Sequence, residues 1–487
     1  MNKMFPYTKK IIIFGLILLF TLVISACEKV VDGGEEPVKK LYEVSPYVTA
    51  GNKSKLLDKG NDVTTSFDEN SAGIKLSLNP EITYQTMDGF GAAMTESSAY
   101  LLMNLDSNKR AEVMESLFGK EEGISLSFVR IAMGASDFSL DNFTYNDTVD
   151  NQPDLELTNF SIERDEAYVI PILKEAKLLN DELLIMGTPW SAPAWMKDNL
   201  NLNGGKLKTN YHDTYANYFV KFIDAYQAHG LNIYAVTPQN EPLHQTSGYP
   251  SMYMLPDQQS NLIVSMGEAF ESNDIDTLIM AYDHNWDRMD YPISVINSDA
   301  YDYVAGTALH GYGGNVKDTQ RVVNAFPEKG VWFTEISGGL WATNFADNMT
   351  WNMENIFMGS INLSAKGVLM WNIALDQNNG PKNGGCTNCR GVLTVNTETD
   401  VITKNEEYYI IGHFSKFVRK GALRIDAQSN NANLITSAFK NPDGSIVVVV
   451  HNKTNSQLNF QLNIHESNVS YQIPAKGTIS FVLNELA

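Results

Sequence analysis

Short, continuous apolar runs recur through the middle of the chain and alternate with longer stretches of helical periodicity. The runs end at Phe90, Ile131, Thr188, Thr237, Asp283, His310, Thr334 and Trp371, and helix-like segments such as Tyr211 to Ala228 fill the intervals. A run that is apolar at every position, rather than at every second one, predicts a strand buried on both faces, as in a parallel sheet covered by helices. Eight such runs favour a closed (β/α)8 TIM barrel. No glycine-rich dinucleotide fingerprint argues for an open doubly wound sheet.

The flanks read differently. Alternating segments such as Ile74-Lys75-Leu76-Ser77-Leu78 precede the central region, and Leu434 to Phe439, Ile446 to Val450 and Leu458 to Leu462 follow it, with Asn441-Pro442-Asp443-Gly444 as a turn. Period two means one buried face. The two flanks together predict a side β-sandwich built from both termini, with strands in residues 41–85 and 421–487 around a catalytic barrel in 86–420.

The first residues belong to neither part. Lys3, Lys9 and Lys10 precede an apolar stretch from Ile11 to Ile24, followed by Ser25-Ala26-Cys27. A basic start, a short apolar middle and small residues predict a signal peptide over 1–26 rather than a spanning helix. Ile24-Ser25-Ala26-Cys27 resembles a bacterial lipoprotein box. Lipidation of Cys27 would tether the protein to a membrane through the polar segment 27–40, and an ordinary cleaved signal is the alternative. Export to the cell envelope, with the outer membrane or cell surface as its site, is the expectation.

Lipidated Cys27 leaves Cys386 and Cys389 as a pair in an oxidising compartment, where a disulfide is expected. A zinc site lacks two further ligands nearby. The setting, Gly384-Gly385-Cys386-Thr387-Asn388-Cys389-Arg390-Gly391, reads as a loop rather than a redox strand-to-helix junction.

A formal net charge of −21 argues against nucleic acid and anionic glycans as partners and favours a neutral substrate. With 43% hydrophobic residues, the chain has enough apolar material for one large core and an accessory domain. The decisive chemistry lies in two glutamates. Glu241 in Thr237-Pro238-Gln239-Asn240-Glu241-Pro242 and Glu335 in Val331-Trp332-Phe333-Thr334-Glu335 each follow an apolar run. Two carboxylates at the carboxyl ends of barrel strands are what a retaining glycosidase requires, at a separation of about 5 to 5.5 Å. Either glutamate alone could be half of a structural ion pair.

Several ordered motifs carry a family resemblance. Met87-Asp88-Gly89-Phe90-Gly91-Ala92-Ala93-Met94-Thr95, Arg130 with Ser136-Asp137-Phe138-Ser139, Thr188-Pro189-Trp190-Ser191-Ala192-Pro193-Ala194-Trp195, Asn240-Glu241-Pro242, and Gly412-His413-Phe414-Ser415-Lys416-Phe417 resemble glycoside hydrolase family 30. That family includes glucosylceramidases and β-1,6-glucanases. The resemblance implies retaining hydrolysis of β-linked glucosides without a cofactor or metal, Glu335 as nucleophile and Glu241 as acid/base.

It also implies sugar contacts from Arg130, Asp137, Trp190, Asn240, Trp371, and the His310-Gly311-Tyr312 motif, whose tyrosine would orient the nucleophile. For Arg130 an internal salt bridge, and for His310 a core position, are the alternatives. Asp283-His284-Asn285-Trp286 suggests a metal site only superficially, so Asp283 and Trp286 are expected at the sugar or in packing at the barrel mouth. This segment and the Gly384 to Gly391 loop depart from the lysosomal pattern and look like the microbial β-1,6-glucanase branch. The leading expectation is an endo-β-1,6-glucanase. A glucosylceramidase or exo-acting β-glucosidase comes next, and a non-catalytic glycan-binding lipoprotein is the reading from a different class.

Overall fold

The computed structural model describes residues 39–67 and 73–486. The expected signal peptide, Cys27 and all of the tether but Lys39 and Lys40 lie outside the described residues. Among the described residues no helix is long and apolar enough to cross a membrane.

Eight strands form the closed parallel barrel: β1 (Gly89–Ala93), β2 (Phe128–Ala132), β3 (Leu184–Thr188), β4 (Ala235–Val236), β5 (Leu278–Asn285), β6 (Val304–His310), β7 (Gly330–Glu335) and β8 (Ala365–Met370). Closure is made by β8 pairing with β1, Gly367 opposite Gly89. The first strand runs to Ala93, past the end expected at Phe90. Gly91 explains part of its motif, because a Cβ there would lie 1.9 Å from the Phe128 carbonyl oxygen of the neighbouring strand.

The barrel interior changes character along its axis. Phe128, Met186, Met280, Trp332 and Leu369 fill the lower part as one apolar cluster. Beneath them Asp88 accepts hydrogen bonds from Trp332 Nε1 at 2.7 Å and the Tyr234 hydroxyl at 2.9 Å. At the carboxyl ends the inward residues become polar: Arg130, Thr188, Thr237, Asp283, His310 and Thr334, all 0% exposed. On β5, Tyr282 and Asp283 take positive φ values of 75° and 64°. A bulge of this kind re-aims a side chain, and here it accompanies an inward Asp283.

The two flanks do meet. Strand Tyr42–Thr49 pairs antiparallel with the last strand, Thr478–Glu485, along its whole length. Ile74–Thr86 pairs with both Leu423–Ser429 and Leu458–Ile464, completing a ten-stranded sheet. That sheet folds over its own core: Phe460 and Phe481, on strands far apart in the pairing order, have ring centroids 6.1 Å apart.

After β8 the chain crosses the barrel mouth before joining the sandwich. Cys386 and Cys389 are joined by a disulfide there. Cys389–Arg390 pairs antiparallel with Gly338–Gly339, just beyond β7. On the other side the Asn383 amide donates to the Ser136 carbonyl and to Asn142 Oδ1, so this loop ties the segments after β2 and β7 together.

Candidate active site

Glu335 is the last residue of β7, and Glu241 lies in the turn after β4. Glu241 has a positive φ of 43°, an uncommon backbone for a residue with a Cβ. It is fixed by its own amide donating to the Asp283 carbonyl at 2.9 Å and by its carbonyl accepting from the His244 amide at 2.8 Å. Glu241, His310 and Glu335 each place one ligand-type atom within 4.8 Å of the others. An oxygen-to-oxygen approach this close is compatible with the about 5 to 5.5 Å carboxyl separation of a retaining pair.

Their surroundings differ. Glu335 accepts from Arg130 Nη1 on Oε2 and from the Tyr312 hydroxyl at 2.9 Å on Oε1. Burial raises its pKa, while the charges of His310 and Arg130 oppose that rise. Two donors and no acceptor hold it as a carboxylate at neutral pH. Glu241 faces imidazoles, with His310 Nδ1 at 3.2 Å and His284 Nε2 at 3.7 Å. Burial would raise Glu241, but the hydrogen bond and charge of His310 outweigh it and bring its carboxyl down to about 2.

His310 is the hinge of this charge arrangement. Its Nε2 is 2.9 Å from Asp283 Oδ1. Burial alone would favour neutral imidazole, yet the charges of Glu335 and Asp283 and its hydrogen bonds push its pKa up to about 9. Asp283 also accepts from Arg130 at 2.9 Å and from the Thr237 and Thr334 hydroxyls at 2.7 Å each. Burial opposes its charge, but Arg130 and His310 hold it far below the ordinary carboxylate range. His284, desolvated by its neighbours, falls to about 4 and is neutral near pH 7.

The open space above the pair is a cavity of about 390 Å³ lined by Asp137, Trp190, Asn240, Tyr312 and Trp371 as well as both glutamates. The indoles of Trp190 and Trp371 stack 5.2 Å apart, and the Arg130 guanidinium lies 5.0 and 5.3 Å from their ring centres. Asn240 Oδ1 accepts from Arg130 at 2.7 Å, which leaves its amide nitrogen free to donate into the cavity. Among the described residues no hydrogen bond or ion pair joins the Asp137 carboxyl to another residue; its own amide bonds it. Burial, then the negative charges of Glu335 and Glu241, push its carboxyl well up, favouring the protonated form.

Arg130, Asp283 and His310, expected at the sugar or in a salt bridge, packing or core position, lie beneath the cavity. All three are wholly buried; both Arg130 Nη atoms, the Asp283 carboxylate and both His310 nitrogens bond within the set formed with Glu241, Glu335 and Asn240, so their geometry suits holding the two glutamates in place. For Trp286, expected at the sugar or in packing, the structure shows packing. It ends the Asp283 to Trp286 segment and opens the 3-10 turn that follows β5, with its ring centroid 5.3 Å from that of Phe333 in the outer core. The cavity gains His284 and Asn285 from that segment, and His244, Tyr249, Trp341 and the disulfide from loops that carry no periodic signal.

Glu241, His310 and Glu335 are also the one described group with metal-ligand spacing. Two cations, Arg130 and protonated His310, already face these carboxylates, which disfavours a third positive charge there.

Residues 87–418 match the glycosyl hydrolase family 30 TIM-barrel domain, and residues 421–481 match that family's β-sandwich domain. Endo-1,6-β-D-glucanase BGN16.3 of Trichoderma harzianum is 33% identical over 443 residues, covering 86% of each chain. The lysosomal acid glucosylceramidase of Mus musculus is 32% identical, covering 79% of this chain and 78% of its own. Among solved structures, the endo-β1,6-glucanase BT3312 superposes with a TM-score of 0.85 at 34% identity, over 90% of this chain and 99% of that one. With both domain matches in chain order and the carboxylate pair at the barrel mouth, the chain belongs to glycosyl hydrolase family 30.

Proposed function

We propose that this protein is a retaining endo-β-1,6-glucanase, exported and held at the cell envelope by a lipid on Cys27. The observation that carries the chemistry is the pair itself. Glu335 accepts from Arg130 and Tyr312, Glu241 lies 3.2 Å from His310 Nδ1, and the two glutamates each have an oxygen within 4.8 Å of the other. The linkage rests on the curated endo-1,6-β-glucanases that align over most of the chain and on the solved one with the same fold.

In the first step a Glu335 oxygen attacks the anomeric carbon while the bond to the leaving oxygen breaks. Glu241 gives that oxygen its proton. The proton is stored on His310, whose Nδ1 passes it to Glu241 Oε1; the imidazole left behind keeps its Nε2 proton on Asp283. In the second step Glu241, now a carboxylate, takes a proton from water. The water oxygen bonds the anomeric carbon and Glu335 leaves, so configuration is retained. Asn240 is placed to donate to the 2-hydroxyl, and Trp190 and Trp371 supply ring faces for the sugar.

The test is incubation of protein lacking residues 1–26 with β-1,6-glucan, β-1,3-glucan, xylan and glucosylceramide, following products over time. Early mixed oligosaccharides from β-1,6-glucan support the reading. Glucose alone would mean exo action, and cleavage of glucosylceramide only would replace the proposed substrate. For the anchor, palmitate labelling in the producing cell should be lost in Cys27→Ser; retained labelling would exclude it.

A further inference from the structure

The catalytic cavity is not the largest opening at the barrel mouth. Beside it, across Tyr312 and Trp341, which line both, lies a second cavity of about 730 Å³. Its far wall is the helix Phe345–Asn352, which carries Trp351. That helix runs directly into a π-turn at Met353–Phe357, a local irregularity often found near functional sites.

The distribution of tryptophan points to a use for this cavity. Five of the seven tryptophans, at positions 190, 195, 286, 332 and 371, are 1–3% exposed. The other two, Trp341 and Trp351, are 55% and 46% exposed, and both line this one cavity; Tyr312 between the two cavities is 45% exposed. Leaving two indoles in water forgoes the apolar burial that the other five obtain. Between them the rim carries Thr343, Asn344 and Asp347. Flat apolar faces edged by hydroxyl, amide and carboxylate groups match a sugar, whose C–H faces stack while its hydroxyls bond at the edge. An acyl chain would fit a continuous apolar trough better.

The second cavity offers such a chain a direction of extension from the catalytic cavity. The loop bearing Cys386 and Cys389 walls one side, tied to the segment after β2 through Asn383 and to the segment after β7 through Gly338–Gly339. Tyr312 and Trp341 form the other side, and the second cavity begins there.

We infer that the second cavity binds further glucose units of the same β-glucan chain, with Trp351 as a stacking platform and Trp341 as the shared wall, so that chain length is read there. This rests on the proposed glucanase reading. Its test compares kcat/KM for β-1,6-gluco-oligosaccharides of increasing length with that for an aryl β-glucoside, which spans the catalytic cavity alone. In the wild type the ratio should rise with length. Trp351→Ala should lower the ratio for long oligosaccharides about tenfold, and Trp351→Phe should restore most of it. Thermal unfolding of each variant checks that folding is intact.

Three results would overturn the inference: an unchanged ratio in folded Trp351→Ala, no length dependence in the wild type on any β-glucan, or a Trp351→Ala defect confined to glucosylceramide. If the wild type cleaves a β-glucan of another linkage, the proposed linkage fails. The same length series on that glucan then decides the inference, and loss of length dependence in Trp351→Ala still supports it.

Discussion

His310 Nδ1 lies 3.2 Å from Glu241 Oε1, so the group proposed as the catalytic proton donor is hydrogen-bonded to one that retains its proton up to about pH 9. The two titrate as a unit, and the alkaline limb of activity belongs to the pair rather than to either residue.

The first prediction follows from that coupling. In the wild type the unit loses its catalytic proton as pH rises through about 9. In His310→Asn the store is gone and the proton can reside only on Glu241, so the alkaline limb of the kcat/KM profile should fall into the carboxyl range, below about pH 7. An alkaline limb unmoved in His310→Asn would show that the imidazole is not the store.

Glu241 and Glu335 should separate by leaving group. Glu241→Ala should slow cleavage of an unactivated glucosidic bond by about 10²- to 10⁴-fold. With a dinitrophenyl β-glucoside, whose leaving group needs no proton, bond cleavage should be far less affected. The glycosyl-enzyme should then accumulate as a burst, because the base that activates water is missing. Glu335→Gln should abolish turnover on both substrates while retaining oligosaccharide binding. A Glu335→Gln protein that still cleaves the activated substrate at the wild-type rate would reverse the assignment.

How far the site was readable from sequence follows from the range of its interactions. The strands were legible because parallel strands buried on both faces are apolar throughout, and Glu335 could be placed because it ends one of them. The burial of Arg130 was not. Its partners Asn240, Asp283 and Glu335 lie 110, 153 and 205 residues away, and only barrel closure brings them together. A charged residue at a strand end looks the same in sequence whether it faces the sugar or the ion-pair layer under it. For Trp286 the sequence left sugar contact and packing open, and the bulge three residues earlier, at Tyr282 and Asp283, is a backbone feature that no residue pattern announces. Trp341 had a usable signal in Gly338-Gly339-Leu340-Trp341, an aromatic in a loop soon after the strand that ends at Glu335.

Asp283 gives a stability prediction. It is 0% exposed and balances Arg130 and His310. Asp283→Ala leaves both cations short of a counter-charge, a loss of about 3 to 5 kcal/mol for breaking a buried pair. His310 should lose part of its raised pKa as well, since Asp283 is one of its causes. Denaturant unfolding measures the first, and NMR titration of the His310 ring the second. A folded Asp283→Ala with wild-type stability and an unshifted His310 would remove Asp283 from this role.

The seam between barrel and sandwich should be acid-sensitive. His413, on the last barrel-side helix, has Nε2 2.8 Å from Thr49 Oγ1 and Nδ1 2.8 Å from Ser480 Oγ, both on sandwich strands. His451 on the sandwich has Nδ1 2.9 Å from Thr478 Oγ1 and Nε2 3.1 Å from Thr350 Oγ1 on the barrel side. Burial holds both imidazoles down to about 3, so they are neutral in the folded protein where the unfolded chain titrates near 6.5. Between those values the unfolded state binds more protons, and stability falls as pH is lowered, by up to about 1.4 kcal/mol per pH unit for each histidine. Asp165 acts with the opposite sign over part of this range. Burial raises it to about 7, so the folded state takes up its proton first and gains stability on acidification from about 7 to 4. The histidine contribution is therefore read as a difference: the slope of unfolding free energy against pH from 4 to 6 should be shallower in His413→Asn/His451→Asn than in the wild type. Equal slopes would show that the two imidazoles do not set the acid limit of the seam.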